Sequence, residues 1–323
     1  MTHRAVNRIA AIVISAGVLL FTAGSPGATS DDIARAALEM KKAAEAADRL
    51  EPNGEQVCNW AAPVATSSDM EQAIARYLVA PSSSIPENIR ASRLWRVSLV
   101  ASDITNRLRV RVSECATILR YEGNTRSTYV KASEALAALE SAQEKFDNLA
   151  FEKTLQQEEV TASNQRAAEA GGQPPRIIGG VASDALTAAE ETKRAAEFAG
   201  NVTDQAAANG GCTKFTVGAK RSGSLPNLSA LIDGLTHKSQ PPSHALGVEM
   251  WLATRDAKAE QIRVFMAMEA CAVDVGEKKG SRNLAAKSLE AYSRLTKATA
   301  ALQLLALRET ELEEQAVVTA EER

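Results

Sequence analysis

Four cysteines, Cys58, Cys115, Cys212 and Cys271, are the side chains whose type and spacing could do covalent chemistry in this chain of 323 residues. They are even in number and widely spaced, with no CxxC pair and no Cys-His cluster. A zinc site needs clustered thiolate and imidazole ligands, so a metal centre fits poorly. In an oxidising compartment such cysteines pair as two disulfides, and three connectivities exist. Cys115 and Cys271 fall on apolar helical stripes, whereas Cys58 and Cys212 fall in loop sequence. Cys58–Cys115 with Cys212–Cys271 is favoured, because each bond then ties a loop to the next long helix. Cys58–Cys271 with Cys115–Cys212, and Cys58–Cys212 with Cys115–Cys271, stay open.

Other reactive side chains do not assemble into a mechanism. His237 and His244 flank Pro241-Pro242, without the HExxH spacing that would put two imidazoles on one helix face. Glu158-Glu159 and Glu313-Glu314 are adjacent pairs; neighbours on a helix do not face each other, so they read as solvated faces rather than a general acid/base pair. No Gly-x-Ser-x-Gly elbow and no phosphate-binding glycine loop occurs. Arg176-Ile177-Ile178-Gly179-Gly180 resembles the activation site of chymotrypsin-like proteases, but the sequence after it is helical and lacks that family's nucleophile loop. Trp60, Trp95 and Trp251 read as packing residues. The expectation is no catalytic, cofactor or metal residues, and no enzyme. Asn201-Val202-Thr203 and Asn227-Leu228-Ser229 are glycosylation sequons in what reads as turn-rich sequence.

Residues 1–28 read as a secretory signal peptide. Arg4 and Arg8 precede an apolar run from Ile9 to Phe21, followed by small residues through Ala28. That run is shorter than the ~20 residues a membrane span needs. The remainder is built for helices. Hydrophobic residues make up 45% of the chain but aromatics only 4%, which suits close-packed helices better than a sheet sandwich. Leu94, Val97, Ala101, Ile104, Leu108, Val112, Cys115 and Leu119 step by three and four, as do Leu246, Met250, Ala253, Ala257, Val264, Met268, Cys271 and Val275 once polar Gln261 fills one position. Leu136, Leu139, Ala142, Phe146 and Leu149 mark a second long helix up to Ala170, and Tyr292, Leu295, Ala298, Leu302, Leu305 and Leu312 mark the last one. Arginines 93, 96, 107, 109, 111 and 120 lie mostly off the stripe and read as a solvated face. The expected fold is all-α, an elongated antiparallel bundle of long helical hairpins. Residues 29–318 form the extracellular domain, with a loop-rich insertion at 200–242 and a tail at 319–323. The net charge of −3, from 37 basic and 40 acidic residues, offers no electrostatic footprint for nucleic acid.

A signal peptide, alanine-rich helical hairpins, a few cysteines and sequons in a loop-rich stretch resemble the surface glycoproteins of African trypanosomes, chiefly the variant surface glycoproteins. That resemblance implies a non-enzymatic coat protein on the outer face of the plasma membrane, often dimeric and held by a glycolipid anchor. Its loops would face host antibodies, with immune evasion by antigenic variation as the role. The last residues, 319–323, carry no hydrophobic anchor signal. Two other readings fit the same pattern: a helical receptor for a host or nutrient macromolecule, and a bacterial periplasmic sensor or adhesin.

Overall fold

The computed structural model describes residues 30–48, 67–79, 91–118, 125–172, 181–208, 212, 225–236, 246–273 and 280–321. Among these there is no strand. The elements are α1 (Ser30–Asp48), α2 (Ser67–Ile74, continued by a π-helical turn over Ala75–Val79), α3 (Ala91–Ile118), α4 (Thr125–Ala170), α5 (Ala182–Ala208), α6 (Pro226–Thr236), α7 (Leu246–Val273) and α8 (Ser281–Glu321). The chain is an all-α bundle, as its periodicity predicts. With 46 and 41 residues, α4 and α8 are about 60–70 Å long at 1.5 Å per residue. The turns at their ends use glycine where φ is positive: Gly172 (φ 76°) after α4 and Gly280 (φ 97°) before α8. No described helix is long and apolar enough to cross a membrane.

The predicted stripes of α3 and α7 are core, whereas Ala298, Leu305 and Leu312 of the predicted α8 stripe are only half-buried. Leu94, Val97, Ala101, Ile104, Leu108 and Val112 on α3 are all buried, as are Met250, Ala253, Ala257, Val264, Met268 and Cys271 on α7. The stretch at 200–242 departs from expectation. α5 runs past Gly200 to Ala208, and α6 occupies 226–236. The reason is that the buried stripe of α5 does not stop at the glycine: Ala196 and Ala199 are followed by Val202, Thr203 and Ala206. α6 in turn seats Leu228 and Leu231 in the main core.

The helices repeat as a unit of four. α1 packs on α4 and α2 on α3; α5 packs on α8 and α6 on α7; α3–α4 and α7–α8 are the two hairpins. The sequences follow the same division without gaps inside the helices. Trp95, Ala101, Arg107 and Cys115 recur as Trp251, Ala257, Arg263 and Cys271. At the same shift, Arg126, Lys131, Glu134, Leu139, Ala150, Thr154 and Glu158 recur as Arg282, Lys287, Glu290, Leu295, Ala306, Thr310 and Glu314. In α1, Asp32, Ala36, Ala37, Glu39, Lys41, Ala43, Ala44 and Glu45 match Asp184, Ala188, Ala189, Glu191, Lys193, Ala195, Ala196 and Glu197 in α5. The two halves are therefore repeats of one four-helix unit.

Candidate functional site

The chemistry-bearing residues converge where the two hairpins cross. Trp95 and Trp251 stack there with ring centroids 3.6 Å apart and planes 9° from parallel. Each indole N–H donates to a threonine on the second helix of its own hairpin: Trp95 Nε1 to Thr154 Oγ1 at 2.8 Å, and Trp251 Nε1 to Thr310 Oγ1 at 3.1 Å. Each threonine hydroxyl donates onward to the carbonyl four residues back, of Ala150 and of Ala306. A buried indole N–H needs such a partner, and a helical threonine can supply it without leaving its own hydroxyl unmet.

One turn further along, the halves exchange helix caps. Glu314 of α8 accepts from the Ser92 backbone N–H at 3.1 Å and the Ser92 hydroxyl at 2.6 Å, at the start of α3. Its counterpart Glu158 of α4 faces the Val248 N–H at the start of α7, which lowers its proton affinity. First-turn N–H groups have no partner inside their own helix, and a carboxylate is a strong acceptor for them. The remaining pair of equivalents is Gln157 and Glu313. Gln157 donates from Nε2 to the Thr310 carbonyl at 2.8 Å. Glu313 is fully buried, and neither of its carboxyl oxygens has a hydrogen-bond partner. It lies against Gly247, where a Cβ would come within 3.2 Å of its Oε1. The Gly247 N–H lowers its proton affinity somewhat without closing a hydrogen bond of good geometry.

These carboxyls hold protons tightly. Burial, reinforced by the Glu158 and Glu309 charges, raises Glu313 to about 9. Burial raises Glu158 to about 8 against the Val248 N–H. It raises Glu309 and Glu314 to about 7, opposed by Arg308 for the first and by Ser92 and Arg93 for the second. The cluster can therefore store protons near neutrality. The described residues contain no set of acidic, histidine or cysteine side chains arranged to hold a metal. Asp69, Leu99, Val100, Asp103 and Arg107 line a shallow groove between α2 and α3, in which Arg107 pairs with Asp103 at 2.8 Å.

Two expectations need correction. Glu313 and Glu314 are not a solvated face: both are buried, and Glu158 is half-buried, whereas Glu159 is exposed as read. They sit at the end of the α8 seam, where Leu302 and Ala306 are followed inward by Glu309, Thr310 and Glu313. Arg109 is likewise buried, paired with Glu140 at 2.6 Å across the α3–α4 contact. Trp95 and Trp251 pack in the core as expected.

Cys212 and Cys271 are joined as a disulfide, Cα atoms 4.6 Å apart, in a small core cluster with Ala206, Ala267 and Leu284. Cys115 lies on α3, but its side chain, like Cys58, lies outside the described residues, as do the leader 1–28, Trp60, residues 176–180, His237 and His244. Neither sequon is in a turn. Asn201 is exposed on α5. Asn227 opens α6 and is engaged: its Nδ2 donates to Asp256 Oδ1 at 2.9 Å and its N–H to Asp256 Oδ2 at 2.8 Å. No protein-family model, curated protein or solved structure matches the chain.

Proposed function

We propose that the protein is exported and serves outside the cell membrane as a non-enzymatic helical surface protein. The observation that carries this reading is the Cys212–Cys271 disulfide, buried in the core and tying Cys212 to α7. Such bonds persist in oxidising compartments and are rare where thiols are kept reduced. The order of charged, apolar and small residues in the first 28 positions supports the same destination. Paired hairpins with helices about 60–70 Å long suit a protein that holds its ends away from its attachment surface.

Within that class, a coat glycoprotein of the trypanosome type is the reading the architecture favours. Its membrane attachment would be a lipid anchor and its assembly a homodimer. Asn201, exposed on α5, would carry the sugar more readily than Asn227, whose amide nitrogen is occupied by Asp256. A receptor for a host macromolecule is the second reading, favoured by the groove between α2 and α3.

Antibodies raised against the folded protein test export directly. Labelling of intact cells, together with a Cys212–Cys271 peptide in non-reducing digests of native material, is the expected result. Labelling only after permeabilisation, with free thiols at both positions, overturns it.

A further inference from the structure

We infer that the junction where the two halves exchange helix caps is a proton-dependent latch. Glu313 is its sensing group: protonated, it lets α8 dock against α7 and α4, and ionised, it loosens that end of the bundle.

The internal repeat supplies the argument. Glu313 occupies the place that Gln157 fills in the other half. Glutamine at that place is neutral and donates from Nε2 to the facing Thr310 carbonyl. A glutamic acid has the same shape, but it is neutral and a donor only while it keeps its proton. Glu313 is fully buried with both carboxyl oxygens unpartnered. An ionised carboxylate left in that state is strongly destabilising, because a buried charge without a partner keeps its full desolvation penalty.

Among the described residues, none that acts on Glu313 carries a compensating charge. The groups acting on Glu313 from α4 and α8 are Glu158, Glu309 and Glu314, all acidic, and α7 contributes only the Gly247 N–H. Glu249 of α7 acts on Glu158 with the same sign. The cations at the junction serve other carboxyls: Arg93 acts on Glu314, and Arg308 on Glu309. Raised proton affinity means the folded state binds more protons than the unfolded chain between the ordinary carboxylate range, about 4.5, and about 9. Stability is then full below that range, falls as pH rises across it, and the loss is complete once pH has passed the folded values of about 7 to 9.

The stacked indoles provide the readout. Trp251 lies one helical turn from Gly247, and Thr310, which holds its indole N–H, lies just before Glu313. Stacked indoles give an exciton couplet in circular dichroism. The test follows that couplet and the melting temperature of the full chain from pH 5 to 9.5. Wild type should lose melting temperature steadily as pH rises from about 5, and couplet amplitude above about pH 7. Glu313→Gln should keep most of both up to pH 9, and Gln157→Glu should steepen the loss. A wild-type couplet that does not change with pH overturns the proposal. So does a Glu313→Gln protein with the wild-type profile, or one that fails to fold at every pH, since a neutral isostere is what a closed latch requires.

Discussion

Glu314, near the end of the chain, closes the first turn of a helix that begins more than two hundred residues earlier: its carboxylate takes both the backbone N–H and the hydroxyl of Ser92. Glu158 faces the backbone N–H of Val248 in the opposite direction. The halves are thus fastened by groups that neither could supply to itself, and the consequences can be measured.

The indole pair should be worth more than either ring. Trp251→Ala removes a fully packed aromatic and should destabilise by about 3–5 kcal/mol. Trp95→Ala should cost a similar amount, and the double variant less than the sum, because the second truncation finds the stack already broken. Urea unfolding of the three proteins checks it.

The Cys212–Cys271 bond spans a sequence separation of 59 residues. Replacing both cysteines by serine should lower stability by about 4 kcal/mol on the chain-entropy account. Non-reducing peptide mapping of the variant should then find Cys58 joined to Cys115. The repeat strengthens that pairing, since Cys115 is the counterpart of Cys271. Free thiols at both positions would contradict it.

Asp256 accepts from the N–H groups of Asn227 and Leu228 and from the Asn227 amide. Asp256→Ala should therefore unseat the start of α6 and cost about 1–2 kcal/mol, in the range of a lost helix cap. The same contact bears on modification. In native material, sugar should be found on Asn201 and absent from Asn227, which intact-mass and glycopeptide analysis would decide.

Arg109 donates to Glu140 and to Asn106, and Asn106 accepts the Tyr292 hydroxyl from α8. Arg109→Ala removes a buried side chain and leaves the half-exposed Glu140 without its partner, and should cost about 1–3 kcal/mol. Arg109→Met with Glu140→Leu, which removes both charges and keeps the packing, should recover most of it. Thermal melts of the two variants test whether the charge or the aliphatic stem matters.

The hairpins were legible because their stripes are apolar: Leu94 to Val112 and Met250 to Cys271 can be read at a three-four spacing and are buried as read. The junction was not legible by that rule, because its seam turns polar. Thr154 and Thr310 hide their hydroxyls on carbonyls four residues back, so they pack like valine while scoring as polar. Glu309 and Glu313 keep the spacing set by Leu302 and Ala306, and following position rather than residue type would have found them. Asking only whether Glu313 faces Glu314 misses the wall that each of them faces. The repeat was also readable: tryptophan and cysteine recur at one spacing in Trp95–Cys115 and Trp251–Cys271, a signal that stripe-by-stripe reading passes over.

The exchanged caps also set an order of events during synthesis. While the chain is being made, the first hairpin emerges with the start of α3 uncapped and Trp95 without its stacking partner, and both wants persist until residues 251 and 314 have been translated. A first half that cannot close early stays pliable until the second half has been made. Protease resistance of ribosome-bound chains should accordingly appear late, once Glu314 has cleared the exit tunnel, and not when the first hairpin is complete.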